Sequence, residues 1–196
     1  MRRGVIVFVV VVLLMGLYLM SSYNGLVAMD EEVNEKWAQV QNVYQRRLDL
    51  IPNLVSTVKG YASHERETLE AVVNARSSAT KISPEALQGV LTNPQAMQNF
   101  ESAQSGLSSA LSKLMVVVER YPELKANENF LALQSQLEGS ENRITVERKR
   151  FNEVVRDYNK RVRRFPTSLL AGFFDFERKT MFEASEKAQT APEVKF

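Results

Sequence analysis

The sequence predicts an all-α protein: one N-terminal transmembrane helix, then a long antiparallel up-down helical bundle whose first helix is kinked at a proline. Three observations carry this. An uncharged apolar run covers Gly4 to Met20. Apolar residues then recur at steps of three, four and seven through most of the chain, with no strand-type alternation. Breaks in that period coincide with proline pairs. The expected organisation is an anchor over 1–24, an extracytoplasmic bundle over 25–188 and a loose tail over 189–196.

The anchor comes first. At about 1.5 Å per residue, Gly4–Met20 is near the lower limit for crossing a bilayer, and Ser21, Ser22 and Tyr23 extend it into the interface. Val5, Phe8, Leu13, Leu17 and Met20 are its lipid-facing candidates. A cleaved signal peptide is the alternative, but the apolar stretch is long for one, and no small-x-small cleavage pattern or lipobox cysteine follows. Arg2 and Arg3 precede the span; Asp30, Glu31, Glu32 and Glu35 follow it before the first cation, Lys36. The positive-inside rule predicts a single-pass protein of the inner membrane, N-terminus in the cytoplasm and bulk in the periplasm.

Val33, Trp37, Val40, Tyr44, Ile51, Leu54, Val58 and Ala62 begin the helical period, and Leu69, Val72 and Val73 continue it. One helix from about Met29 to Lys81, roughly 75–80 Å long, is expected. Pro52 falls inside it. A new helix starting there would have Ile51 as its N-cap, a poor choice, and the apolar register passes through without a phase break. The expectation is one helix kinked where the Leu48 carbonyl loses its partner.

Ser83-Pro84 and Asn93-Pro94 are cap-then-proline starts. The second opens a helix to about Arg120 with Met97, Phe100, Leu107, Leu111, Leu114 and Val118 on one stripe. Tyr121-Pro122 turns the chain into a helix over Pro122–Arg164, where Phe130, Leu137, Ile144, Phe151 and Tyr158 fall at heptad, coiled-coil-like spacing. Phe165-Pro166 stops it. The apolar turn Thr167–Phe176 leads to a short helix, about Glu177 to Lys187. Three long passes would leave that apolar corner at the end far from the bilayer, unless the last helix folds back.

Composition excludes several chemistries. There is no cysteine and one histidine, His64, so thiol chemistry and histidine metal clusters are unavailable. The net charge of +2 is balanced apart from the N-terminus: removing Arg2 and Arg3 from 25 cations leaves 23 against 23 acids. His64-Glu65-Arg66-Glu67 lacks the second histidine of a zinc-protease motif, since Thr68 stands there, and reads as a solvated face. No phosphate loop, nucleophile–base pair or placeable carboxylate pair exists, so the expectation is a non-enzyme without cofactor or metal. Arg143–Phe165 carries nine Lys or Arg against three acids. Nucleic acid is on the wrong side of the membrane, so this is a solvated face, with Asp157 and Arg161 able to pair, or a surface for an acidic protein or lipid headgroups. Phe173, Phe174 and Phe176, with Arg161 and Arg164, are candidates for a partner or self-association surface.

The runs YNGLV, NEKWAQVQNVYQRRLDLIPNLVSTVKGYASHE and YPELK through RRFP, and the closing PEVKF, resemble the LemA family of bacterial membrane-anchored proteins. The resemblance covers nearly the whole chain, including Asp-x-Ile-Pro-Asn at Asp49–Asn53 and Glu-Gly-Ser-Glu-Asn at Glu138–Asn142. It implies an anchored extracytoplasmic bundle without catalysis. It further implies a gene encoded beside that of a membrane-bound zinc metalloprotease of the HtpX type or of other envelope proteins, which suggests a role in cell-envelope assembly or membrane-protein quality control. The functional expectation is a self-assembling envelope scaffold or adaptor; the alternative is a lipid-binding or membrane-shaping protein using the basic face over 143–164.

Overall fold

The computed structural model describes residues 2–81 and 89–183, and among these the fold is all-helical with no strands. Six helices follow in order: α1 Arg2–Tyr61, α2 Arg66–Thr80, α3 Pro94–Val118, α4 Pro122–Lys125, α5 Glu128–Arg163 and α6 Thr167–Phe173. The segment after Ser83-Pro84 and the end of the expected Glu177–Lys187 helix lie outside the described residues.

α1 is one unbroken helix of 60 residues. Its apolar N-terminal run is long enough to cross a membrane, and none of that window is buried. The helix continues through Asn24-Gly25 and through Pro52. A proline at 52 cannot donate to the Leu48 carbonyl four residues back. That carbonyl instead accepts a hydrogen bond from Arg76 Nε of α2 at 2.9 Å. The group orphaned by the proline is thus satisfied from a neighbouring helix, which is how the break in the ladder is tolerated.

The expected helix over Met29–Lys81 is in fact two. The chain reverses at Ala62–Glu65, between α1 and α2. Gly60 weakens the helix just before it, and Glu65 is held by Arg120 Nη2 at 2.9 Å and Tyr121 Oη at 3.0 Å. The turn keeps the apolar phase, since Val58, Ala62, Leu69 and Val72 are all buried across it. Periodicity alone therefore hides it. Val73, assigned to the stripe from sequence, is exposed. The expected helix over Pro122–Arg164 is also divided: α4 is a single turn, and Asn127 starts α5 by accepting from the Phe130 N–H at 3.0 Å. Asn93 caps α3 as the sequence predicts, accepting from the N–H groups of Gln95 and Ala96.

α1 packs most extensively on α5, and the two are antiparallel. Tyr61 meets Asn127 at one end, Arg47 meets Glu141 in the middle, and Asp30 lies level with Lys179 just beyond α5 at the other. The five heptad residues of α5 are all buried. The core falls into two clusters. The distal one is mainly aliphatic, with Ile51, Leu54, Val58, Leu107 and Leu114 at its centre. The membrane-proximal one is aromatic, built on Trp37, Tyr44, Phe100, Phe151 and Tyr158.

The reversal at Ala62–Glu65 adds a pass, so α5 returns toward the membrane. The apolar corner is therefore at the proximal end: the Phe174 ring lies 4.8 Å from that of Tyr23, three residues past the apolar run of α1. This overturns the distal placement that three passes would give.

Candidate functional site

Three arrangements stand out, one at the seam between the two cores and two at the proximal end.

Arg47 sits at the seam. Val33, Val40, Arg47 and Leu54 are spaced by seven along α1, and all four are buried, Arg47 to 1% exposure. Its guanidinium donates to Glu141 Oε1 of α5 at 2.6 Å, to Ser108 Oγ of α3 at 2.9 Å and to the Gln104 side-chain carbonyl of α3. The guanidinium carbon lies 5.2 Å from the Tyr44 ring centroid. Gln104 occupies the matching position of its own ladder, between Met97 and Leu111. Two polar residues at corresponding register positions lock three helices in one alignment, since a slip of either would leave a buried charge unpaired. Sequence reading passed over Arg47 and Gln104. The available signal was a polar residue at a heptad position of an apolar ladder.

The second arrangement is a strap. Residues 176–183 are not the expected helix but irregular, extended chain running along α5 and α1. Asn159 donates to the Lys179 carbonyl at 2.8 Å and accepts from the Lys179 N–H at 2.9 Å. Asn152 does the same for Phe182, with both bonds at 2.9 Å. Seven helical residues rise about 10.5 Å, and three extended residues span about 10 Å. The two asparagines therefore read every third residue of the strap. Phe182 inserts among Trp37, Phe100 and Phe151, with centroids 6.0, 6.3 and 5.5 Å away. Arg148 lies over the same ring at 4.4 Å and pairs with Glu101 at 2.5 Å. Lys179 reaches Asp30 at 2.8 Å. Burial and the Asp30 carboxylate push the Tyr158 hydroxyl well above its ordinary pKa; burial pushes Glu101 up as well, against the pull of Arg148. Helical propensity missed the strap because side-chain amides and a ring pocket, not local preference, fix it.

The third is the foot. α6 is held by Phe174 on Tyr23 and by buried Thr167 and Ala171. Its other side is apolar and open: Phe165 is 76% exposed, Leu169 67% and Phe173 79%. Of the predicted surface residues, Phe173 is therefore fully presented and Phe174 partly so, while Phe176 packs against the proximal core. Arg161 is half-buried and Arg164 exposed, and both lie near Tyr18 at the end of the span. Asp157 pairs with Arg156 at 3.2 Å rather than with Arg161. The anchor residues Val5, Phe8, Leu13, Leu17 and Met20 all stand exposed on α1. The basic run is not one uniform face: Arg148 and Arg150 are engaged by Glu101 and Glu147, whereas its membrane end opens into a cleft. Among the described residues no group of three or more His, Asp or Glu could hold a metal. His64 lies in the turn between α1 and α2.

A sequence model of the LemA family matches residues 36–196. The chain belongs to the LemA family. It is 26% identical over 190 residues to the magnetosome protein MamQ of Magnetospirillum gryphiswaldense, covering 88% of this chain and 68% of that protein. It is 24% identical over 186 residues to magnetosome protein MamQ 2 of Paramagnetospirillum magneticum, with the same coverage. Protein LemA of Metamycoplasma hominis is 24% identical over 163 residues, 83% of this chain and 69% of its own length. Family membership and the exposed apolar helix together describe a membrane-associated protein of the cell envelope.

Proposed function

We propose that this LemA-family protein is a non-enzymatic scaffold: a rigid post that stands on the inner membrane and assembles with copies of itself to hold an envelope partner at a fixed height. The observation that carries this is α1, which runs without interruption from the span to Tyr61. From Ser21 to Tyr61 it rises about 60 Å at 1.5 Å per residue. Anchors of one orientation present identical flanks side by side, a geometry suited to closed cyclic assembly. The four long passes act as an up-down bundle, bent at Pro52. The charge asymmetry about the span supports an N-terminus in the cytoplasm and a bundle in the periplasm. Partners of the class that the resemblance implies, including a membrane-bound metalloprotease of the HtpX type, would be met along the post.

The test is the native mass of the full-length protein extracted in mild detergent. A discrete multiple of one chain supports the scaffold. A strictly single-chain mass with no second protein attached removes it; a mass made up by a different protein converts the scaffold into an adaptor for that protein.

A further inference from the structure

We propose that the cleft at the foot of α5 is a binding site for the headgroup phosphate of an anionic phospholipid. This deepens the scaffold reading, in that the post would select the lipid on which it stands. Arg156, Lys160 and Arg163 of the C-terminal part of α5, Arg164 just after it and Arg178 of the strap line a cleft of about 380 Å³ together with Asn159 and Met181. Arg156 is the one of these five cations that contacts a carboxylate, Asp157; among the described residues no acid lies within ion-pair distance of the other four. Four cations gathered with no acid in ion-pair distance among the described residues repel one another, and an anion is the ligand that relieves this. Arginine is the side chain best matched to a phosphodiester, because its planar fork donates two parallel hydrogen bonds.

Position decides which anion. Arg164 of the cleft is followed directly in the chain by Phe165, and α6, which starts two residues later, carries Leu169 and Phe173; all three are large, exposed apolar side chains. The Phe173 ring packs on that of Phe174, which in turn packs on Tyr23, and Arg164 lies near Tyr18, where the apolar run of α1 ends. Apolar side chains at the edge of the hydrocarbon and cations one step above it reproduce the layering of a bilayer surface, acyl chain below phosphate. Asn159 and Asn152 fix the strap by its backbone, and so hold Arg178 against α5. The site is therefore assembled from two segments and set before any lipid arrives.

The experiment uses the full chain in mild non-ionic detergent, loaded with phosphatidylglycerol or phosphatidylcholine of the same acyl chains, and reads retained lipid by native mass spectrometry. Retention of phosphatidylglycerol over phosphatidylcholine is expected. The triple change Arg163→Gln, Arg164→Gln, Arg178→Gln should reduce that preference at least about tenfold. Arg46→Gln, Lys59→Gln, Lys113→Gln removes equal charge from exposed positions of the distal half and should leave it intact. Circular dichroism of both variants shows that they are folded. Equal retention of the two lipids, or undiminished phosphatidylglycerol binding by the foot variant, overturns the proposal. A third arm adds inorganic phosphate alone; phosphate bound there without a preference for phosphatidylglycerol marks a soluble-anion site and overturns the lipid assignment. The same spectra report the number of chains, so a monomer that still selects phosphatidylglycerol would remove the scaffold and keep this site.

Discussion

The two halves of the bundle are closed in different ways. In the distal half, α2 lies against α1 and α3 and completes an aliphatic core. In the proximal half α2 has ended, since Arg76 near its C-terminus is only level with Leu48. There an extended strap takes over, and the core turns aromatic. The difference teaches what each half needs. Leucine and valine ladders fit between helices at fixed spacing. An extended chain presents its own N–H and C=O groups to the core, so it needs side-chain partners for them, and Asn152 and Asn159 supply these. Large rings then fill the wider gap beside it.

The largest effect is expected where the halves meet. Arg47→Ala should destabilise the protein by about 3–5 kcal/mol, because it leaves buried Gln104 unpaired and opens a cavity the size of the lost side chain. Urea unfolding measures it. Arg47→Met with Gln104→Leu should recover most of the loss, since an apolar replacement of similar volume removes both buried polar groups. A loss as large in the double variant would show that the seam depends on the polar network itself and not on filled volume.

Next, the halves should respond unequally to truncation. Leu114→Ala in the distal core should cost about 2–5 kcal/mol in global stability. Phe182→Ala should cost less, about 2–3 kcal/mol, because the strap can detach while the helices persist. Trp37, the single tryptophan, touches Phe182 and reports this directly. Its emission should shift to the red with Phe182→Ala and stay unchanged with Leu114→Ala.

A smaller effect tests the proline. Arg76→Ala should cost about 1 kcal/mol by stripping the Leu48 carbonyl of its donor. In a Pro52→Ala background residue 52 supplies that donor itself, so the same change should cost nearly nothing. A coupling of about 1 kcal/mol in this double-mutant cycle is expected; simple additivity would show that Arg76 acts only through packing.

The smallest is a pH effect confined to the proximal half. Burial holds the Glu101 carboxyl above its ordinary value of about 4.3. Folded protein then binds a proton more readily than unfolded protein at this site. Its contribution to stability is fully present below the unfolded value and is lost as pH rises through the raised folded value. Glu101→Gln should flatten the stability–pH curve in that window, measured by urea unfolding at a series of pH values.

Much of the helical frame is legible in the sequence, and the reason is local. Stripes such as Met97–Phe100–Leu107–Leu111 and caps such as Asn93-Pro94 encode their own geometry. The reversal at Ala62–Glu65 is not legible, because a turn that preserves apolar phase leaves no mark in the period. One missed turn was enough to send the Phe173–Phe174 corner to the wrong end. The strap is illegible for another reason. Its conformation is dictated by Asn152 and Asn159, about 30 and 20 residues upstream, and two asparagines seven apart on a polar face look like solvent contacts. Of the surface residues expected from the sequence only Arg164 lines the cleft, which also needs Arg178, and only the strap brings that beside α5.

Because α1 has no joint between its membrane span and its tip, the bundle is geared to the bilayer. Tilting the span by about 10° swings Tyr61 sideways by roughly 10 Å, the product of a 60 Å arm and that angle. Bilayers of different thickness impose different tilts on the same apolar length. A change of tilt at the near end of α1 is therefore carried to its far end as lateral displacement.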